Sequence, residues 1–128
     1  MKRLIVLSLI ALVWLPVSVA AEGRISCRYL KGSGSQIELQ LDISSPPPLT
    51  IIILQFLPAG VEIMKSSPKM KKYNRERGQA RWLLKDVHPG SMTVRMELNK
   101  EVDKGAIKGE LRYRNPGSGS METMEIHS

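Results

Sequence analysis

Apolar and polar side chains alternate with a period of two over much of this chain. In residues 36–43, Ile37, Leu39, Leu41 and Ile43 fall on one side, and Gln36, Glu38, Gln40 and Asp42 on the other. Residues 91–98 repeat the pattern with Met92, Val94, Met96 and Leu98. Such alternation predicts strands with one face in a core and one in water, as in antiparallel sheets. The run TIIILQFL at residues 50–57 is different. It is apolar along its length and rich in β-branched residues, which predicts a strand covered on both faces.

Shorter runs at 25–30, 61–64, 80–84, 106–113 and 121–126 raise the expectation to about seven or eight strands. Residues 65–79 form the one long polar segment, with room for a short edge strand around 70–73. Punctuation between the runs agrees. Gly32-Ser-Gly-Ser35 is a flexible turn, and the prolines at 46–48 cannot sit in a central strand. His88-Pro89-Gly90 and Asn115-Pro116-Gly117 each place Pro-Gly at the centre of a predicted type II turn, with glycine taking the positive φ. Asp103-Lys-Gly105 marks another reversal. Several strands at regular spacing, with no convincing helical period after the first twenty residues, predict one all-β sandwich or barrel.

The N-terminus modifies this picture. Met1-Lys2-Arg3 precedes the apolar run 4–15, and Pro16 and the small residues Ser18, Val19, Ala20 and Ala21 follow. That order predicts a signal-peptide helix over 1–21, with cleavage after Ala20 or Ala21, and a secreted or periplasmic domain over 22–128. An uncleaved membrane anchor is the alternative, since the run approaches the lower limit of about 17 residues for a span. The chain carries 19 Lys+Arg and 12 Asp+Glu; without Lys2 and Arg3, seventeen cations face twelve acids, a net of +5. That balance suits solubility and some affinity for acidic surfaces. Cys27 is the only cysteine, which excludes an intramolecular disulfide and leaves a small, partly buried strand residue as the expectation.

The order of features "LPAGVEI", "SSP", "ARWLLKDVHPGSMTVRMEL" and "GAIKGELRYRNPGSG" resembles the bacterial conserved-repeat domain of unknown function with an immunoglobulin-like sandwich, often found in tandem in surface proteins. The matching positions are Leu57, Pro58, Gly60, Trp82, Pro89 and Gly90, over residues 46–119. The resemblance implies an immunoglobulin-like antiparallel β-sandwich in which Pro58, Gly60, Trp82, Pro89 and Gly90 are structural, and it implies no catalytic residues. The chain departs from the family as a single, more basic copy with its own leader.

Candidate chemistry is sparse. His88 sits before a proline in a turn and His127 is penultimate, so neither has a partner at zinc spacing. Ser91, His88 and Asp86 cannot all converge from one tight turn into a relay. Glu101 and Asp103 lack the ligand loop of a calcium site. "LPAG" lacks the threonine and the C-terminal position of a sorting signal. No catalytic residue, metal, cofactor or small-molecule substrate is therefore expected.

The most unusual local feature is basic. Lys65, Lys69, Lys71, Lys72, Arg75, Arg77, Arg81 and Lys85 have only Glu76 among them, with Tyr73 and Trp82 nearby. Such a segment suits a polyanion or anionic surface, with Lys69, Lys71, Lys72, Arg75 and Arg77 as the contacts. Equally, its lysines suit protection of an edge strand, and Trp82, beside Leu83 and Leu84, suits the core. The expected function is a non-catalytic binding, assembly or structural module of the bacterial cell envelope. Its partner is another envelope protein, a second copy, or an anionic surface.

Overall fold

A computed structural model describes residues 24–128, and the signal-peptide expectation for 1–21 lies outside them. Nine strands run in order: β1 Ile25–Lys31, β2 Gly34–Ile43, β3 Thr50–Phe56, β4 Ile63–Ser67, β5 Lys72–Asn74, β6 Gln79–Lys85, β7 Gly90–Val102, β8 Lys108–Arg114 and β9 Met121–His127. They form two antiparallel sheets, β1-β2-β7-β4 and β5-β6-β3-β8-β9. Three connections are hairpins within a sheet (β1–β2, β5–β6 and β8–β9), and the other five cross from one sheet to the other. The ninth strand is the three-residue β5 at the edge of the larger sheet, ending one residue past the 70–73 stretch where the polar segment left room for a short edge strand.

Side-chain alternation builds the core. Ile37, Leu39, Leu41 and Ile43 of β2 and Val94, Met96, Leu98 and Val102 of β7 face Ile51 and Ile53 of β3, Trp82 and Leu84 of β6, and Leu111 and Tyr113 of β8. Trp82 is fully buried, and its indole N–H donates to the Pro68 carbonyl at 3.0 Å, which satisfies the one polar atom it carries inward. Burying a side chain of this size between two sheets is worth about 3–5 kcal/mol against alanine.

The strand expected to be covered on both faces is covered on one. Ile51, Ile53 and Gln55 point into the core, whereas Ile52, Leu54 and Phe56 lie half-buried on the outer face of the larger sheet. A period of two sends alternate residues to opposite faces, and no described element packs over that outer face.

The turn chemistry is correct in part. At the Leu57–Val61 corner, Val61 N–H donates to the Pro58 carbonyl at 3.1 Å and Gly60 takes φ 81°, as the third position of a type II turn requires. Gly105 does the same, at φ 89° with Ala106 N–H on the Asp103 carbonyl. Two details need correction. In the β8–β9 hairpin the positive φ falls on Gly119 (74°) instead of Gly117, because Asn115 draws the backbone N–H of Gly117 and Ser118 to its side-chain oxygen and the Gly119 N–H to its carbonyl. The segment 86–89 passes between sheets, so the change of direction is split between Asp86 at φ 54° and Gly90 at φ 120°.

Candidate functional site

The two outer faces of the sandwich differ in kind. On the four-stranded sheet the outward residues of β2 and β7 are polar: Gln40 and Ser91 both donate to the Asp42 carboxylate, at 3.2 and 2.5 Å, and Arg95 lies 3.4 Å from Glu38. The Ser91 hydroxyl holds the Asp42 carboxyl below its ordinary range, and it is committed there, not to His88. Among the described residues its one ion pair is Arg95 with Glu38, and its exposed large apolar side chains, Leu30 and Met64, stand on the edge strands β1 and β4.

On the five-stranded sheet, register places an apolar stripe between two rows of cations. Ile52 pairs with Leu83 on one side and Arg112 on the other, and Leu54 lies between Arg81 and Glu110. Thr50 stands opposite Lys85, and Phe56 opposite Lys108. Lys72 of β5 is the direct cross-strand neighbour of Arg81. Like charges placed directly opposite are destabilising by about 0.2–1 kcal/mol, and the Arg81 Nε is buried with no hydrogen-bond partner among the described residues. Glu110 is engaged by Arg112 at 3.0 Å, and Glu125 by His127 at 3.3 Å. Among the described residues, no carboxylate lies within ion-pair range of Lys72, Arg81, Lys85, Lys108 or Arg114.

The stripe ends in a groove of about 550 Å³ between the proline-rich β2–β3 connection and the β8–β9 turn. Leu49 and Met121 flank it with 91% and 58% of their surface in solvent, which is unusual for large apolar side chains next to a formed concavity. Ile52 and Arg112 lie on its floor, and the Arg114 guanidinium is fixed at its rim by donating to the Gly119 carbonyl at 2.8 Å.

The basic segment singled out from the sequence divides. Lys65 lies on β4, in the other sheet. Lys69 and Lys71 are exposed in the β4–β5 connection, Lys72 is on β5, and Arg75 and Arg77 are in the β5–β6 turn beside the Pro58–Gly60 corner. Arg75 stands 5.7 Å from the Tyr73 ring centre. Neither aromatic offers a free stacking face. Trp82 is core, and the Tyr73 hydroxyl accepts from Ile63 N–H at 2.7 Å, tying β5 to β4. Arg81 and Lys85 are thus the members that meet the apolar stripe, and their counterparts Lys108, Arg112 and Arg114 lie far along the chain.

Of the structural positions, Pro58, Gly60 and Trp82 occupy the corner and core as described, and Pro89 and Gly90 are exposed at the crossing into β7. Among the described residues no three His, Cys, Asp or Glu side chains converge. Cys27 points inward from β1, and burial, helped by Asp42, raises its thiol to about 12. That keeps it protonated and a poor nucleophile at neutral pH. Sequence reasoning missed the outer-face stripe, although the alternation Arg81, Leu83, Lys85 and Lys108, Glu110, Arg112, Arg114 marks the cationic rows on either side of it.

No family model matches the chain, and neither the curated proteins nor the solved structures contain a match.

Proposed function

We propose that this chain is an exported, non-catalytic binding module of the bacterial cell envelope, and that it works through the outer face of its five-stranded sheet. The observation that carries this reading is the stripe of Ile52, Leu54, Phe56 and Leu83, bordered by cations of which, among the described residues, only Arg112 pairs with a carboxylate. Solvated sheet faces normally alternate to polar residues, and contiguous exposed apolar surface marks an interaction site.

The immunoglobulin-like type belongs to the same proposal. In its support, β1-β2-β7-β4 follows the A-B-E-D order and β3-β8-β9 the C-F-G order of constant-type domains, with the β5–β6 hairpin added beside β3. The buried tryptophan departs from that type, standing on β6 and not on the strand equivalent to C. Face docking is favoured over strand addition because the four edges are guarded: β1 and β4 carry register shifts beside Lys31 and Lys65, β5 has three residues, and β9 turns Glu122 toward the interior.

The test is photo-cross-linking in intact cells. With a benzophenone side chain at Leu54, adducts form; with one at Thr93, on the opposite face, they do not. Equal labelling from both positions, or none from either, tells against the face as the binding surface. A polyanion-binding module is the second reading, favoured by the juxtaposition of Lys72 and Arg81. It predicts retention on heparin that falls steeply with salt and is lost in a Lys69, Lys71 and Lys72 to Glu variant.

A further inference from the structure

We infer that the partner of this face is an anionic lipid bilayer surface, with Leu49 and Met121 entering the interface and the flanking cations meeting the headgroups. The inference rests on the proposed binding role of the five-stranded sheet and names its partner. A second copy of the chain fits poorly, because stacking two such faces about a twofold axis sets one cationic border against another. A lipid surface fits on three counts.

First, the apolar groups nearest the end of the sheet are the most exposed ones on the face, 91% for Leu49 and 58% for Met121. They protrude beside the groove without filling it. A fluid interface accepts protruding side chains of no fixed arrangement, as amphipathic interfacial segments use it. Secondly, the cations are distributed along both borders, Lys72, Arg81 and Lys85 on one and Lys108, Arg112 and Arg114 on the other, and five of the six lack an internal carboxylate. Attraction to an anionic surface sums over such dispersed charges. The opposite face sets Glu38, Asp42 and Glu97 against Arg28, Lys65 and Arg95, whereas the five-stranded face sets only Glu110 and Glu125 against its six cations, and this asymmetry turns the five-stranded sheet toward the lipid.

Thirdly, the chain enters the sandwich at the same end. The Arg24 carbonyl accepts from Ser44 N–H at 3.0 Å, and Ser44 opens the connection that carries Leu49. Chain preceding Arg24, which the sequence predicts to include the apolar run 4–15, therefore joins the domain at the Leu49 end.

The exported chain is tested by sedimentation with vesicles of phosphatidylglycerol and phosphatidylcholine, against phosphatidylcholine alone. Binding to the anionic vesicles should weaken with salt, fall about fivefold for each of Lys85→Gln and Arg112→Gln, and fall at least about tenfold in Leu49→Asp/Met121→Asp. Both apolar sites are exposed, so the circular dichroism of that variant stays unchanged. Because a retained leader would itself bind vesicles, a second readout is independent of it. An environment-sensitive fluorophore on Leu49→Cys shifts to the blue on anionic vesicles, and one on Thr93→Cys does not.

Equal binding to both vesicle types, a silent probe at 49, or binding indifferent to Leu49→Asp/Met121→Asp overturns the inference. Heparin binding that survives the apolar substitutions alongside a silent probe assigns the face to a soluble polyanion instead. Protein adducts from Leu54 without vesicle binding would leave the module standing and remove the lipid.

Discussion

The Tyr29 hydroxyl of β1 donates a 2.7 Å hydrogen bond to the side-chain oxygen of Gln55 on β3, joining the two sheets through the core. Gln55 is the one polar residue among the fully buried positions, and its amide nitrogen donates to the Lys108 and Phe56 carbonyls at 3.1 and 3.3 Å. Every polar atom of that amide is therefore engaged. Burial raises the Tyr29 phenol well above its ordinary value, so it stays protonated and a donor at neutral pH. Gly109 makes the approach possible, since a Cβ there would stand 2.9 Å from the Tyr29 oxygen.

Removing one partner should cost more than removing both. Tyr29→Phe strands the Gln55 oxygen in the core and lowers stability by about 1–3 kcal/mol, while Tyr29→Phe/Gln55→Leu recovers part of the combined loss. Urea unfolding of the two single variants and the double variant measures the coupling, expected at about 0.5–3 kcal/mol. Strict additivity would show that the bond contributes nothing specific.

Glycines with the same sign of φ should differ sharply. At Gly34, φ is 86° and an added Cβ meets nothing within 4 Å, so Gly34→Ala carries only the left-handed penalty of about 1–2 kcal/mol. At Gly78, φ is 63° and the Cβ would fall 2.5 Å from the Leu57 carbonyl oxygen, a backbone atom that accepts no displacement without disturbing the β3 end. The Gly78 carbonyl also accepts from Leu57 N–H at 2.8 Å. Denaturation midpoints should therefore fall further for Gly78→Ala than for Gly34→Ala; the reverse order would contradict the close approach.

Acid stability should carry a signature of Asp42. Its carboxyl is lowered from an ordinary value of 3.8, chiefly by the Ser91 hydroxyl. A depressed folded-state value contributes stability that is fully present above the unfolded-state value and is lost as pH falls through the folded one. Ser91→Ala raises the folded value and so shrinks the stability difference between neutral and strongly acidic solution. Thermal midpoints across that range, for the parent and the variant, measure it; identical acid limbs would count against the hydrogen bond as the cause.

What this sequence determined by itself is local. The two-residue alternation of 36–43 and 91–98 set which side chains enter the core, because strand geometry fixes that parity without reference to any neighbour. Gly60 and Gly105 mark two turns, because glycine accepts the positive φ of the third turn position at no steric cost.

Pairing across long separations belonged to the tertiary structure. Residues 50–57 read alike whether a layer covers one face or two, and only the strand order leaves Ile52, Leu54 and Phe56 without a cover. Arg112 and Lys85 come to border the same stripe because β3 lies between β8 and β6, although 27 positions separate them along the chain. Asn99 is invisible in the pattern for the same reason. Its side chain accepts from Glu62 N–H at 2.8 Å and donates to the Gly60 carbonyl at 3.2 Å, fixing from β7 a corner whose own residues only permit the turn. Alternation and turn preference are properties of adjacent residues, whereas an exposed face is a property of which strands become neighbours.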